Sequence, residues 1–180
     1  WEIESSCGKF VELGIPVSQQ KFLLRGRIDS VDILTIDSDY VDDKMSEVYS
    51  LDTELGEFKK PRRLIIIRDI KSIDGTKDNG DNERHLKGIF HELQLALYAR
   101  AWEIAHPGDR VIGVGATQVG INTLPFLEVD PDYIHLCENM EIGIIGGFTH
   151  EHYRLPGDEF DNASNPFRAW MRERITTALR

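Results

Sequence analysis

Leu64-Ile65-Ile66-Ile67 sets four branched apolar side chains in a row. Successive side chains of a strand point to opposite faces, so such a run folds only where both faces of a sheet are covered. It predicts an interior strand over 64–70, hence a layered domain with apolar cover on each side of the sheet. That strand leads into Asp69-Ile70-Lys71, which puts a carboxylate and an ammonium at the end of the best-defined element of the chain.

The remaining pattern is mixed. Residues 1–13 read as a short lead-in, broken by Gly14 to Pro16. Over 21–36, Phe22, Leu24, Ile28, Val31, Ile33 and Ile36 suit two strands or one long bent one, with Gly26 as its weak point. Residues 37–61 form an acidic, turn-rich excursion, and 72–87 a loop rich in Asp, Asn and Gly. Ile89, Phe90, Leu93, Leu97, Ala101 and Trp102 recur at helical spacing, which predicts a helix over 88–105, stopped by His106-Pro107-Gly108. Strands are expected at 110–119 and 124–129; residues 131–153 show no single period. A last helix is expected over 166–179, capped by Asn165, with Phe167, Trp170, Met171 and Ile175 as its apolar stripe. The expectation is one α/β domain spanning 1–180.

Charge narrows the function. Lys plus Arg is 21 against 31 for Asp plus Glu, a net charge of −10. A surface basic all round, gripping nucleic acid everywhere, is excluded. Contact with DNA would need a local basic patch, metal ions or a more basic partner. Lys59, Lys60, Arg62 and Arg63 form the one abrupt basic cluster, just before the 64–70 strand, and are the candidate DNA-backbone contacts. No apolar run reaches membrane-span length and no secretory leader opens the chain, so no membrane partner and a cytoplasmic location are expected. Cys7 and Cys137 are too far apart in sequence for a Cys-pair motif. The chain begins at Trp1, and the expectation is a domain excised from a longer protein.

Three segments carry candidate chemistry: Gly26-Arg27-Ile28-Asp29 inside a strand, Asp69-Ile70-Lys71 at a strand end, and Gln94 with Tyr98 on a helix. Residues i and i+2 of a strand share a face, so Asp69 and Lys71 point together while Ile70 points into the core. Residues i and i+4 of a helix share a face, which puts Gln94 and Tyr98 side by side. Asp29 from a neighbouring strand would complete a hard-oxygen site of the kind Mg²⁺ or Mn²⁺ prefers. Alone, Asp69 and Lys71 would be read as a surface ion pair. It is the order of the three motifs, each on a fitting element, that favours a site.

Gly-Arg-Ile-Asp, an apolar strand ending in Asp-x-Lys, and Gln-x-x-x-Tyr on a helix resemble the RecB-type branch of the PD-(D/E)XK nucleases, also found in AddB-type helicase–nuclease subunits. The resemblance covers about residues 1–105 and implies a restriction-endonuclease-like fold, a mixed central sheet flanked by helices. It implies metal-dependent hydrolysis of DNA phosphodiester bonds in a helicase–nuclease or repair setting, with a helicase domain or subunit as partner. Asp29, Asp69 and the backbone carbonyl of Ile70 would hold the metal. Lys71 would position or activate water, while Gln94 and Tyr98 would line the site and help hold Lys71 or the DNA. The family's upstream Glu or His helix has no clear counterpart; Glu2 and Glu4 lie near the strands without matching it. Cys7 and Cys137 cannot supply the four cysteines of an iron–sulfur cluster, so none is expected. The alternative is a catalytically silent DNA-guiding or subunit-docking scaffold of the same fold.

Other patterns read as structure. The acidic stretches Asp37–Asp43 and Asp74–Glu83 lack the glycine and glutamate positions of a calcium loop. Gly113, Gly115 and Gly120 miss the dinucleotide spacing and suit a glycine-bearing strand. His150 and His152 have no third ligand nearby and read as a loop, and Asn162-Ala163-Ser164 is a glycosylation pattern without consequence in a cytosolic protein.

Overall fold

The computed structural model describes residues 2–3, 11–14, 21–35, 61, 63–72, 88–119, 124–149 and 165–178. Nine strands run in chain order among them: β1 (Glu2–Ile3), β2 (Val11–Gly14), β3 (Lys21–Leu24), β4 (Gly26–Arg27), β5 (Ser30–Thr35), β6 (Arg63–Ser72), β7 (Asp109–Val119), β8 (Phe126–Val129) and β9 (Ile144–Gly147). Three α-helices accompany them: α1 (Leu93–Ala105), α2 (Ile134–Asn139) and α3 (Pro166–Ala178). β5 to β9 form one mixed sheet in the order β5-β6-β7-β8-β9. β6–β7 and β8–β9 are parallel, and β5–β6 and β7–β8 are antiparallel. The fold is α/β. β1 pairs with β4, and β2 with β3, in two short antiparallel ladders.

The apolar run behaves as its composition requires. Leu64, Ile65, Ile66 and Ile67 are all fully buried. Ile65 and Ile67 face α1 and α3, in one core with Val111, Val114, Leu95, Ala99, Trp102 and Trp170. Leu64 and Ile66 face the other way, against Ile112, Leu127, Val129, Tyr133 and Cys137. Burying each such side chain stabilises the fold by about 1.5–3 kcal/mol. Between Ile65 and Ile66 the β6–β7 register shifts, because β7 carries an extra residue there. Beyond that bulge Ile67 again matches Val114 and Asp69 matches Ala116.

α1 is the crossover that joins the parallel pair β6 and β7. Glu103 in its last turn anchors it: Arg168 Nη1 donates to both Glu103 carboxylate oxygens at 2.7 and 2.9 Å, and the Val111 amide donates to Oε1 at 2.9 Å. One buried carboxylate thereby ties α1, α3 and β7. At the N-terminus of α3, Asn165 Oδ1 accepts from the Arg168 amide at 3.1 Å, the expected cap. Phe167, Trp170, Met171 and Ile175 are buried, as the stripe predicts.

Three expectations are corrected. The expected 88–105 helix is interrupted: Gly88 and Ile89 are helical, residues 90–92 leave the helix, and α1 starts at Leu93. Before it, a separate turn is closed by His91 N–H to the Gly88 carbonyl at 2.9 Å and Glu92 N–H to that of Ile89 at 3.2 Å, and Glu92 is extended (φ −78°, ψ 101°). Of the expected stripe, Ile89, Ala101 and Trp102 are buried and Phe90, Leu93 and Leu97 half-buried, while Leu95, Ala96 and Ala99 join the buried face because the break at 90–92 changes the phase. Second, the 21–36 segment breaks at Arg25 and again at Ile28-Asp29, so Asp29 sits in a bend between β4 and β5, not inside a strand. Third, Ile70 is 45% exposed. Its face is the one covered by α2, and that apolar layer meets β6 at Leu64 and Ile66, short of Ile70.

The unpatterned stretch 131–153 yields a 3₁₀ turn (Pro131–Tyr133), α2 and β9. The expected loops at 37–43 and 74–83, with Gly120, His150, His152 and 162–164, lie outside the described residues. Among those residues no helix is long and apolar enough to cross a membrane.

Candidate active site

Antiparallel pairing of β5 with β6 sets Ser30 opposite Arg68, which brings the preceding residue, Asp29, to the level of Asp69. The Ile70 amide donates to Asp29 Oδ2 at 3.2 Å. The Asp29 and Asp69 carboxylates lie close enough to shift one another's titration. Asp69 shares the α1 side of β6 with Ile65 and Ile67, and Lys71 follows on that side at i+2. Lys71 Nζ lies 2.5 Å from Asp69 Oδ2 and 3.0 Å from Glu92 Oε1.

Two carboxylates in contact share a proton or need a cation between them. Here the two carboxyls are shifted in opposite directions. Burial pushes the Asp69 carboxyl up, opposed by Lys71 and assisted by Asp29. Asp29 is held below the ordinary carboxylate value by the Ile70 amide first, then by Asp69, with Arg27 and Lys71 adding attraction against a small desolvation cost. Burial pulls the Lys71 ammonium down, but its bonds to Asp69 and Glu92 outweigh that and hold it above the ordinary lysine value. The cluster is thus anionic, half-shielded from water and short of positive charge.

The donor set suits a hard divalent ion. Asp29 and Asp69 bring neighbouring carboxylates together, and a cation between them would offset their repulsion. Among the described residues no three His, Cys, Asp or Glu side chains make a ready-built cage. Mg²⁺ does not require one, since it is usually held by one or two carboxylates and keeps several waters. Ile70 takes part through its backbone N–H, on the same two-residue span whose carbonyl is the expected third ligand.

Glu92 is the residue the sequence reading missed. It occupies the N-cap position of α1, and the β6–α1–β7 crossover returns it over the end of β6. Gln94 and Tyr98 lie on the same helix, where Gln94 Nε2 donates to the Tyr98 hydroxyl at 2.8 Å. Gln94 is exposed, while Tyr98 packs partly against the core. Among the described residues the helix bonds Lys71 through Glu92, and neither Gln94 nor Tyr98 is the one that does so.

Arg63 is not brought to the site. It opens β6, six residues from Asp69, or roughly 20 Å at about 3.3 Å per residue. Its guanidinium is engaged by Asp109, with Nε to Oδ1 at 2.8 Å and Nη2 to Oδ2 at 2.7 Å. Lys59, Lys60 and Arg62 lie outside the described residues, as do Glu4 and Cys7. Glu2 pairs with Arg27 in the β1–β4 ladder. Cys137 is buried on the α2 side of the sheet, where burial pushes its thiol up to about 12. Compared with known proteins, the chain matches no family model, no curated protein and no solved structure.

Proposed function

We propose that the chain is a metal-dependent DNA nuclease domain of restriction-endonuclease-like fold, working in a helicase–nuclease or DNA-repair protein. The observation that carries this reading is that the β5–β6 register brings Asp29 to the end of β6, bonded to the Ile70 amide, beside Asp69 and its partner Lys71. A bound Mg²⁺ or Mn²⁺ would supply Lewis-acid polarisation of a phosphoryl oxygen and lower the pKa of a water. The protein's own groups do the rest. Asp29 and Asp69 hold the ion. Lys71 orients the attacking water and offsets charge developing on phosphorus as the new P–O bond forms and the sugar oxygen leaves. Glu92 fixes the Lys71 ammonium in place.

The test is a calorimetric titration of the chain with Mn²⁺, alongside Asp69→Ala. Binding by the parent chain that the variant loses supports the reading; no binding by either removes it. DNA binding without cleavage, with metal binding also absent, is what a silent scaffold would give.

A further inference from the structure

We propose that Gln118 is a further substrate-contacting residue of this site, donating its Nε2–H to an anionic oxygen of the phosphodiester. The inference rests on the nuclease reading and adds to it a residue that none of the three motifs contains.

The placement follows from the sheet. Gln118 is the β7 partner of Lys71 in the parallel β6–β7 pair, and Ala116 the partner of Asp69. Adjacent strands lie about 4.8 Å apart. Ala116 belongs to the core under α1, and Gln118, two residues on, shares that face. Its neighbour Thr117 points to the opposite face, where its hydroxyl accepts from Arg68 at 2.7 Å.

Gln118 is only 4% exposed, yet neither Nε2 nor Oε1 has a hydrogen-bond partner among the described residues. An unpaired buried amide costs about 1–3 kcal/mol, which an apolar side chain of the same size would avoid. Of the other β7 residues on this face, Val111, Val114 and Ala116 are apolar, and Asp109, at the far end of the strand, is polar but paired with Arg63 and Trp102. Only beside Lys71 does an amide replace the apolar side chains. The described charges around it are the carboxylates Asp29, Asp69 and Glu92, which cannot donate when ionised, and the Lys71 ammonium, already shared between Asp69 and Glu92. An anionic substrate entering there needs another donor. Gln118 supplies one without adding charge, and the substrate oxygen supplies the acceptor the amide lacks.

The experiment compares the full chain with Gln118→Leu and Gln118→Met. Melting temperature is read without DNA, Mn²⁺ affinity by calorimetry, binding of a short fluorescent DNA duplex in Ca²⁺ over a range of salt, and cleavage of the same duplex in Mg²⁺. Both variants are expected to melt no lower than the parent, because an unpaired polar group is removed. Mn²⁺ affinity stays unchanged, while kcat/KM for cleavage falls about 10- to 100-fold, the range for a hydrogen bond to a charged group. The salt slope of DNA binding is unchanged, because a neutral donor releases no counterion. Full cleavage by both variants, or melting lowered by several degrees in both, overturns the role of Gln118 and leaves the nuclease reading standing. A parent chain that neither binds nor cuts the duplex overturns the nuclease reading, and this inference with it.

Discussion

Glu92 bonds Lys71 across the gap between the start of α1 and the end of β6, 3.0 Å from carboxylate to ammonium. The pair spans two elements about twenty residues apart in sequence, and it makes the helix start part of the site. Glu92→Gln keeps the shape and removes the charge. With both side chains about 30% exposed, its effect on stability should stay below about 1 kcal/mol. Cleavage should fall at least about tenfold, the share of a charge-assisted hydrogen bond to a reacting group. The Lys71 titration, followed by NMR, should move down towards the ordinary lysine value, because Glu92 helps hold it up. An unmoved titration would detach Glu92 from Lys71.

Asp69 and Asp29 respond to pH with opposite signs. The folded-state pKa of Asp69 is raised above its ordinary 3.8, so the stability it contributes is present in acid and is lost as pH rises from that value through the folded pKa. Asp29 is lowered from 3.8, so its contribution is present above that value and lost as pH falls through the folded pKa. Asp69→Asn mimics the protonated acid. In the absence of divalent ions at pH 7, this variant should melt higher than the parent, while losing metal binding. A lower melting temperature would mean that the ionised Asp69–Lys71 pair dominates instead.

The clamp formed by Glu103 lies away from the site and should act on stability alone. Arg168→Met leaves the Glu103 carboxylate, 4% exposed, without its partner. Breaking one side of such a buried pair is expected to destabilise by about 3–5 kcal/mol. Urea denaturation measures this, and Mn²⁺ affinity of the folded fraction should be unchanged.

Gly115 marks a close approach of β7 to β8. A Cβ there would come within 2.3 Å of the Phe126 carbonyl oxygen. Gly115→Ala must push β8 outwards and should destabilise by about 1–3 kcal/mol, as overpacking does. Thermal melting checks it.

What the sequence made legible was local. Leu64 to Ile67 announced an interior strand because no other setting buries four such side chains, and Asp69 with Lys71 followed by alternation. Asn165 and the stripe of α3 were readable for the same reason, since a cap and its period lie within one element. Glu92 was not, because its role depends on where the chain turns before α1 and on the crossover that returns it to β6. Gln118 was hidden behind the β6–β7 register, which a bulge at Ile65/Ile66 shifts by one residue. Ile70 was misread because alternation says which face a side chain takes, and not how far the cover on that face extends.

The most direct measurement is cleavage of linear duplex DNA by the chain in Mg²⁺ or Mn²⁺, set beside Asp29→Ala, Asp69→Ala and Lys71→Ala. The account predicts cleavage that EDTA stops, abolished in all three variants, each of which keeps its fold by circular dichroism and most of its DNA binding. Cleavage that survives Asp69→Ala, or that proceeds without a divalent ion, would contradict it.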